Sequence, residues 1–180
     1  LFGGFWQELN KKQRKNIIID DEEAVSLDYS QMGPRILYGL CGTRPISEDC
    51  YRVPGYDKYR IGIKKVFNAM TFANKQMKRF PKGVKQMFKE DIRFQEVSDA
   101  VQRYHSGIAH KFYIGIGHYL QYLESQTLIK VLLGLKEQGI HALPIHDAVV
   151  VGRAWVDMSR QLMEQVFLDM TNVESWVQVE

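Results

Sequence analysis

Ile140-His141-Ala142-Leu143-Pro144-Ile145-His146-Asp147-Ala148-Val149-Val150-Val151 is the stretch on which the fold turns. Apolar residues run up to Ile145 and resume at Ala148, interrupted by one polar pair. That pattern reads as strand, tight turn, strand, with His146-Asp147 at or near the turn. Asp is common in turns for local reasons alone. A His-Asp pair beside an apolar strand is also expensive to bury unless it is used or paired.

The flanks extend the reading. Gly115 to Gly139 carries Leu120, Leu123, Leu128, Val131, Leu132 and Leu135 at spacings of three and four, which predicts a long helix ended by Gly139. After the hairpin, a helix is expected from about Val156 to Met170, then a last strand at Trp176-Val177-Gln178-Val179. Near the other end, Ala24-Val25-Ser26-Leu27-Asp28-Tyr29 alternates as a strand does. Ile36, Leu37 and Leu40 follow Pro34 at helical spacing. Cys41 to Tyr56, with Gly42, Pro45, Pro54 and Gly55, reads as a connector. Helices are expected from Lys58 to Lys78, with Val66, Met70, Ala73 and Met77 on one side, from Val84 to Arg93, and from Gln95 to Tyr104. Residues 1–19 read as a loop with a short strand or hairpin ending in Ile17-Ile18-Ile19, and Asp20-Asp21-Glu22-Glu23 as a turn. The order predicts an α+β chain, a small antiparallel sheet with helices on one face. Its divisions are an N-terminal segment 1–23, a main part 24–57 and 106–180, and a helical subdomain 58–105.

Length and composition bound the function. The 180 residues, 45% hydrophobic and 25% charged, suffice for a packed core and argue against disorder. A net charge of +3 says little about partners. Local basic runs say more: Lys11, Lys12, Arg14 and Lys15, then Lys75, Lys78, Arg79, Lys82, Lys85 and Lys89. Such runs bind phosphates or form a solvated face. Positions 75, 78, 82, 85 and 89 are spaced to align, although Pro81 divides them. Cys41 and Cys50 lack zinc or CxxC spacing, so reduced thiols and a cytoplasmic location are expected. No apolar run approaches the roughly 18 residues of a membrane span.

Two carboxylates carry the chemistry. Asp28 ends a strand before a helix, where it can hold a divalent ion or serve as a helix cap. With Asp147 on a separate strand of one sheet, it could hold two metal ions and clamp a phosphoryl transfer. The wording around these residues is informative. Asp28-Tyr29-Ser30-Gln31-Met32-Gly33-Pro34-Arg35-Ile36-Leu37 resembles motif A of family A polymerases, DYSQIELRIL, agreeing at seven of ten positions. Ile145-His146-Asp147 resembles motif C, which continues to HDE in DNA polymerases and HDS in phage-type RNA polymerases. Between them Arg60, Lys64 and Phe72 resemble motif B, RxxxKxxxxxxxYG. The resemblance runs from about Ala24 to Phe167. The opening Phe2-Gly3-Gly4-Phe5-Trp6-Gln7 is similar to a group of uncharacterised phage and mobile-element proteins.

The resemblance implies a polymerase palm with a helical fingers insertion at 58–105. Asp28 and Asp147 would bind two Mg²⁺ or Mn²⁺ ions, with the Tyr29 carbonyl as a further ligand. Arg60 and Lys64 would meet the incoming triphosphate, Lys64 also protonating the leaving pyrophosphate. Phe72 would pack under the nascent base pair, with Gly33 and Asn68 bordering the nucleotide. Lys75, Lys78, Lys82, Lys85 and His146 would contact a DNA or RNA primer-template. Three departures stand out. Ala148 replaces the Glu after the motif C Asp. Glu124, on the apolar stripe of its helix, is either its stand-in or a Glu satisfied by a nearby base or backbone amide. Gly33 replaces the Glu that blocks a ribose 2′-OH, and Phe72 lacks the motif B hydroxyl. The implied activity is template-directed nucleotidyl transfer, DNA polymerase or primase-like, with weak discrimination between rNTPs and dNTPs. An accessory protein would replace the missing thumb. The alternative is an inactive nucleic-acid-binding relic of a polymerase palm in replication or mobile-element maintenance.

Overall fold

The computed structural model describes residues 4–14 and 16–179. Phe2, Gly3 and Lys15 of the sequence readings lie outside the described residues. In chain order the elements are α1 (Phe5–Glu8), α2 (Lys11–Arg14), β1 (Ile18–Ile19), β2 (Glu22–Tyr29), α3 (Met32–Leu40), α4 (Arg60–Phe72), α5 (Phe94–Tyr104), α6 (Gly117–Glu137), β3 (Ala142–Ile145), β4 (Ala148–Gly152), α7 (Val156–Thr171) and β5 (Val177–Val179). Every strand pairing is antiparallel, so the chain mixes helices with an antiparallel sheet, as an α+β reading requires. No described helix is long and apolar enough to cross a membrane. The chain divides into two compact units, residues 1–36 with 122–180, and residues 37–121, and it passes from one to the other within α3 and within α6. The divisions read from the sequence, at 57/58 and 105/106, fall inside the second unit.

The first unit is built on β2. Val25, Leu27 and Tyr29 are buried while Ala24, Ser26 and Asp28 are half-buried, the two-residue period of a strand with one face fully packed. The sheet order is β1-β2-β4-β3, with β5 also paired to β2. Asp20 and Asp21 both have positive φ, 53° and 64°, as a two-residue hairpin turn between β1 and β2 demands. Pro144 is tolerated because β3 is an edge strand. Its carbonyl accepts hydrogen bonds from Trp6 Nε1 (2.9 Å) and Gln7 Nε2 (3.2 Å), so the first turn of helix caps that edge. The helix α7 packs on β2 and β4. The Tyr29 hydroxyl donates to the Met163 carbonyl at 2.6 Å, and its ring lies 5.4 Å from that of Phe167. Arg35 is buried, donates Nη1 to the Glu174 carbonyl at 2.9 Å and stacks 4.0 Å from the Trp176 ring. The end of α6 is fixed as its Gly139 predicts. At φ 73°, Gly139 donates to the Lys136 carbonyl and Ile140 to that of Leu135, a Schellman motif.

In the second unit α4 buries Ile63, Val66, Phe67 and Met70 and packs against α5. The Phe67 ring meets His105 and Phe112 edge-on, each at 5.2 Å. His105 is buried with Nδ1 2.7 Å from the Tyr38 hydroxyl, and burial pushes its pKa down to about 4. Two expected helices are corrected here. The helix from Lys58 stops at Phe72, not Lys78, because Ala73 is already extended (ψ 137°). The helix expected at 84–93 is reduced to a single 3₁₀ turn, Lys85–Met87. Pro81 and Gly83 (φ 74°) precede that turn, and the Lys85 ammonium donates to the carbonyls of Lys89, Glu90 and Ile92, groups a helix would have bonded to its own backbone. The basic positions 75, 78, 82, 85 and 89 therefore share no helix face.

Candidate active site

Strand pairing brings the two aspartates to one end of the sheet. Asp28 is the cross-strand partner of Ala148, and Ile145 is paired with Ala148 across the β3–β4 hairpin. That register leaves His146-Asp147 as a two-residue loop, with His146 at φ 53° in the first central position, where a type II′ turn needs a positive φ. Both loop residues are exposed. Paired antiparallel residues have Cα atoms about 5 Å apart and Asp147 is one residue further, so the two Asp backbones lie within about 7 Å. Alternation along β2 sends Tyr29 into α7 and Asp28 to the opposite face, shared with Ala148.

Glu124 joins this end from α6. A Cβ on Gly33, in the first turn of α3, would stand 3.1 Å from Glu124 Oε1. Burial, and then the negative charge of Asp147, push the Glu124 carboxyl up to about 7. The carboxylates of Asp28 and Asp147 are hard oxygen donors, the chemical type that a divalent ion such as Mg²⁺ or Mn²⁺ takes. Among the described residues, no group of three or more His, Cys, Asp or Glu side chains is arranged to hold a metal ion. The Tyr29 side chain is committed elsewhere: burial, then Glu164, raise its phenol well above its ordinary range. Only its main chain is left for a ligand role.

The second unit carries the residues that resemble motif B. Arg60, Lys64, Asn68 and Phe72 recur every four residues along α4 and are all exposed, opposite the buried Ile63, Val66, Phe67 and Met70. Arg60 donates Nε to Asp49 Oδ2 at 2.5 Å and Nη2 to Asp49 Oδ1 at 3.3 Å. Arg60 and Lys64 both approach the Tyr51 ring, at 5.6 and 5.8 Å from its centroid. Phe72 lies edge-on to His118 at 5.2 Å, and a Cβ on Gly117 would fall 2.6 Å from its ring. Lys75, Lys78 and Lys82 are exposed, but Lys85 is not a free cation for nucleic acid: its ammonium holds three carbonyls and lies 5.6 Å from the Phe80 ring centroid. Sequence reasoning missed Asp49 and Tyr51, which it placed in a connector. No periodicity ties residue 49 to α4, so no local signal was there to be read.

No family model matches the chain, and no curated protein matches it in sequence. Among solved structures it is similar to the POL domain of Pol1 from M. smegmatis in complex with DNA primer-template and dNTP. The TM-score is 0.55 at 14% identity, over 92% of this chain and 41% of that one. The chain therefore spans less than half the length of the structure it matches. At this identity the likeness is one of fold: the chain has the fold of part of a DNA polymerase's polymerase domain.

Proposed function

We propose that the chain is a nucleotidyltransferase that adds nucleotides to a nucleic-acid 3′-hydroxyl on a template. The observation that carries the reading is the pairing of Asp28 with Ala148, which puts Asp28 beside the His146-Asp147 turn in a chain of this fold. In the reaction the 3′-oxygen bonds to the α-phosphorus of a nucleoside triphosphate and gives up its proton to solvent water. The bond to the β-phosphate bridging oxygen breaks, and pyrophosphate leaves. Asp28 and Asp147 would hold two Mg²⁺ or Mn²⁺ ions, with the Tyr29 carbonyl, and such ions supply positive charge to the attacking and leaving oxygens. Arg60 and Lys64 bind the triphosphate, and the Lys64 ammonium gives a proton to the departing pyrophosphate. The Phe72 ring packs under the nascent pair, while Asn68 and Gly33 border the nucleotide. Lys75, Lys78, Lys82 and His146 contact the primer-template backbone. Glu124, whose carboxyl feels the charge of Asp147, would stand in for the carboxylate that Ala148 lacks. Primer extension with separate rNTP and dNTP pools tests the proposal. Incorporation by the wild type, lost in Asp28→Ala and in Asp147→Ala, is the expected result. Primer-template binding without any incorporation would instead favour the inactive nucleic-acid-binding reading.

A further inference from the structure

Arg60 is held by a carboxylate that the chain itself keeps still. Asp49 Oδ1 accepts the Tyr51 backbone N–H at 3.0 Å. The Asp49 carbonyl accepts Arg52 N–H at 3.1 Å and the Ser47 hydroxyl at 3.0 Å. Ser47 in turn accepts the Tyr104 hydroxyl at 2.8 Å, and the next two residues of the turn after Asp49, Cys50 and Tyr51, are buried. The Arg60 side chain, by contrast, is 45% exposed. Without a fixed partner it would sample many rotamers.

The contact uses one edge of the guanidinium. Asp49 takes Nε and one Nη2 proton. A guanidinium has five N–H donors, so Nη1 and the other Nη2 proton remain as a terminal fork, the geometry that grips a phosphate in two places. Lys64, one turn along α4, brings its ammonium to the same Tyr51 ring. Asp49 stays ionised: burial raises its pKa, but the hydrogen bonds from Arg60 and the Tyr51 backbone hold it below the usual carboxylate range. The Asp49 carboxylate is set against Arg60 and Arg52, with the Lys64 ammonium by the Tyr51 ring.

We infer that Asp49 is a positioning residue that presets Arg60, leaving its terminal guanidinium fork, beside Lys64, to bind the polyphosphate of a nucleoside triphosphate. This rests on the proposed nucleotidyl transfer, but the anion site can be tested by itself. Preorganisation of this kind tightens binding by removing the cost of ordering the side chain on contact.

The test uses the full chain. Inorganic tripolyphosphate is titrated calorimetrically into wild type, Asp49→Asn, Asp49→Glu, Arg60→Lys and the Asp49→Asn/Arg60→Lys double variant, and KM and kcat for nucleotide are measured by primer extension. Asn keeps an oxygen for the Tyr51 N–H and so spares the turn, while losing the ionic grip on Arg60. Asp49→Asn should weaken tripolyphosphate binding about tenfold, as loss of a charged hydrogen-bond pair does. It should raise KM similarly and change kcat by less than about twofold, in the manner of lost uniform binding. Asp49→Glu should restore most of the affinity. With Arg60→Lys already present, Asp49→Asn should add little. Unchanged or tighter binding in Asp49→Asn, an equal loss in the Arg60→Lys background, or no tripolyphosphate binding by the wild type would each overturn the inference. Asp49-dependent tripolyphosphate binding by a chain that never extends a primer would support the positioning role and refute the proposed reaction.

Discussion

The Glu124 carboxyl, pushed up to about 7, stays protonated in the folded chain where an unfolded carboxyl has already ionised. Its contribution to stability is full below the unfolded pKa of about 4.3. It is lost as pH rises through the folded value. The shift corresponds to at most about 4 kcal/mol. His105, with its pKa lowered to about 4, works in the opposite sense, since it adds stability as pH rises through the ordinary histidine range. The two overlap, so the difference between wild type and Glu124→Gln isolates Glu124. Urea unfolding from pH 4.5 to 7.5 should show the wild type losing stability relative to the variant as pH rises. A parallel pair of curves would mean that the carboxyl is not held protonated. Gly33 sets the next expectation. It offers no side chain against a 2′-OH, and Phe72 offers no hydroxyl to prefer one. A single hydrogen bond is worth about 0.5–1.5 kcal/mol, so the kcat/KM preference between matched rNTP and dNTP should not exceed roughly a hundredfold, about 2.7 kcal/mol. A thousandfold rejection of rNTPs would show that the Glu124 carboxyl at Gly33, or another group, closes that space.

Helices and strands with strong internal periodicity were legible: β2, the β3–β4 hairpin, α5, α6 and α7 lie close to where alternation, leucine spacing and Gly139 put them. The segment from Lys75 to Arg93 was not legible. Its basic residues have helical spacing, but the contacts that shape it come from the Lys85 side chain and from the Phe80 ring, which meets both Phe88 and Phe94. The same long-range character hid the Asp49–Arg60 pair, whereas the placement of Asp28 at a strand end and of Asp147 in a turn was readable because strand and turn patterns are local. Two expectations belong to these elements. Gly62 lies inside α4, where Ala would ordinarily gain about 1 kcal/mol of helix propensity. A Cβ there would stand 2.6 Å from the buried Phe88 ring, so Gly62→Ala should instead destabilise the chain by about 1–3 kcal/mol, read as a lowered urea midpoint. Lys85→Ala should cost about 1 kcal/mol or more of stability through its lost carbonyl contacts and leave the salt dependence of primer-template affinity nearly unchanged. Lys82→Glu should do the reverse, weakening affinity on every sequence and lowering the salt slope. Equal salt slopes for the two variants would contradict this division between a structural and a solvent-facing lysine.

Across the whole chain, the family-like motifs divide between the two compact units. Asp28, Gly33, Glu124, His146 and Asp147 belong to one; Asp49, Arg60, Lys64, Asn68 and Phe72 belong to the other. The likeness to a polymerase domain spans 92% of the chain, at an identity that speaks only for the fold. The chemistry therefore rests on the residues themselves. Its central claim is that Asp28 and Asp147 act together as the metal-binding pair of a nucleotidyl transfer. Single-nucleotide primer extension in Mg²⁺ or Mn²⁺ tests that claim most directly, run on wild type, Asp28→Ala and Asp147→Ala with circular dichroism and primer-template affinity measured alongside. The account predicts incorporation by the wild type and a loss of at least about a thousandfold in each variant, some 4 kcal/mol of barrier, with fold and binding retained. Incorporation at the wild-type rate in either variant would contradict it.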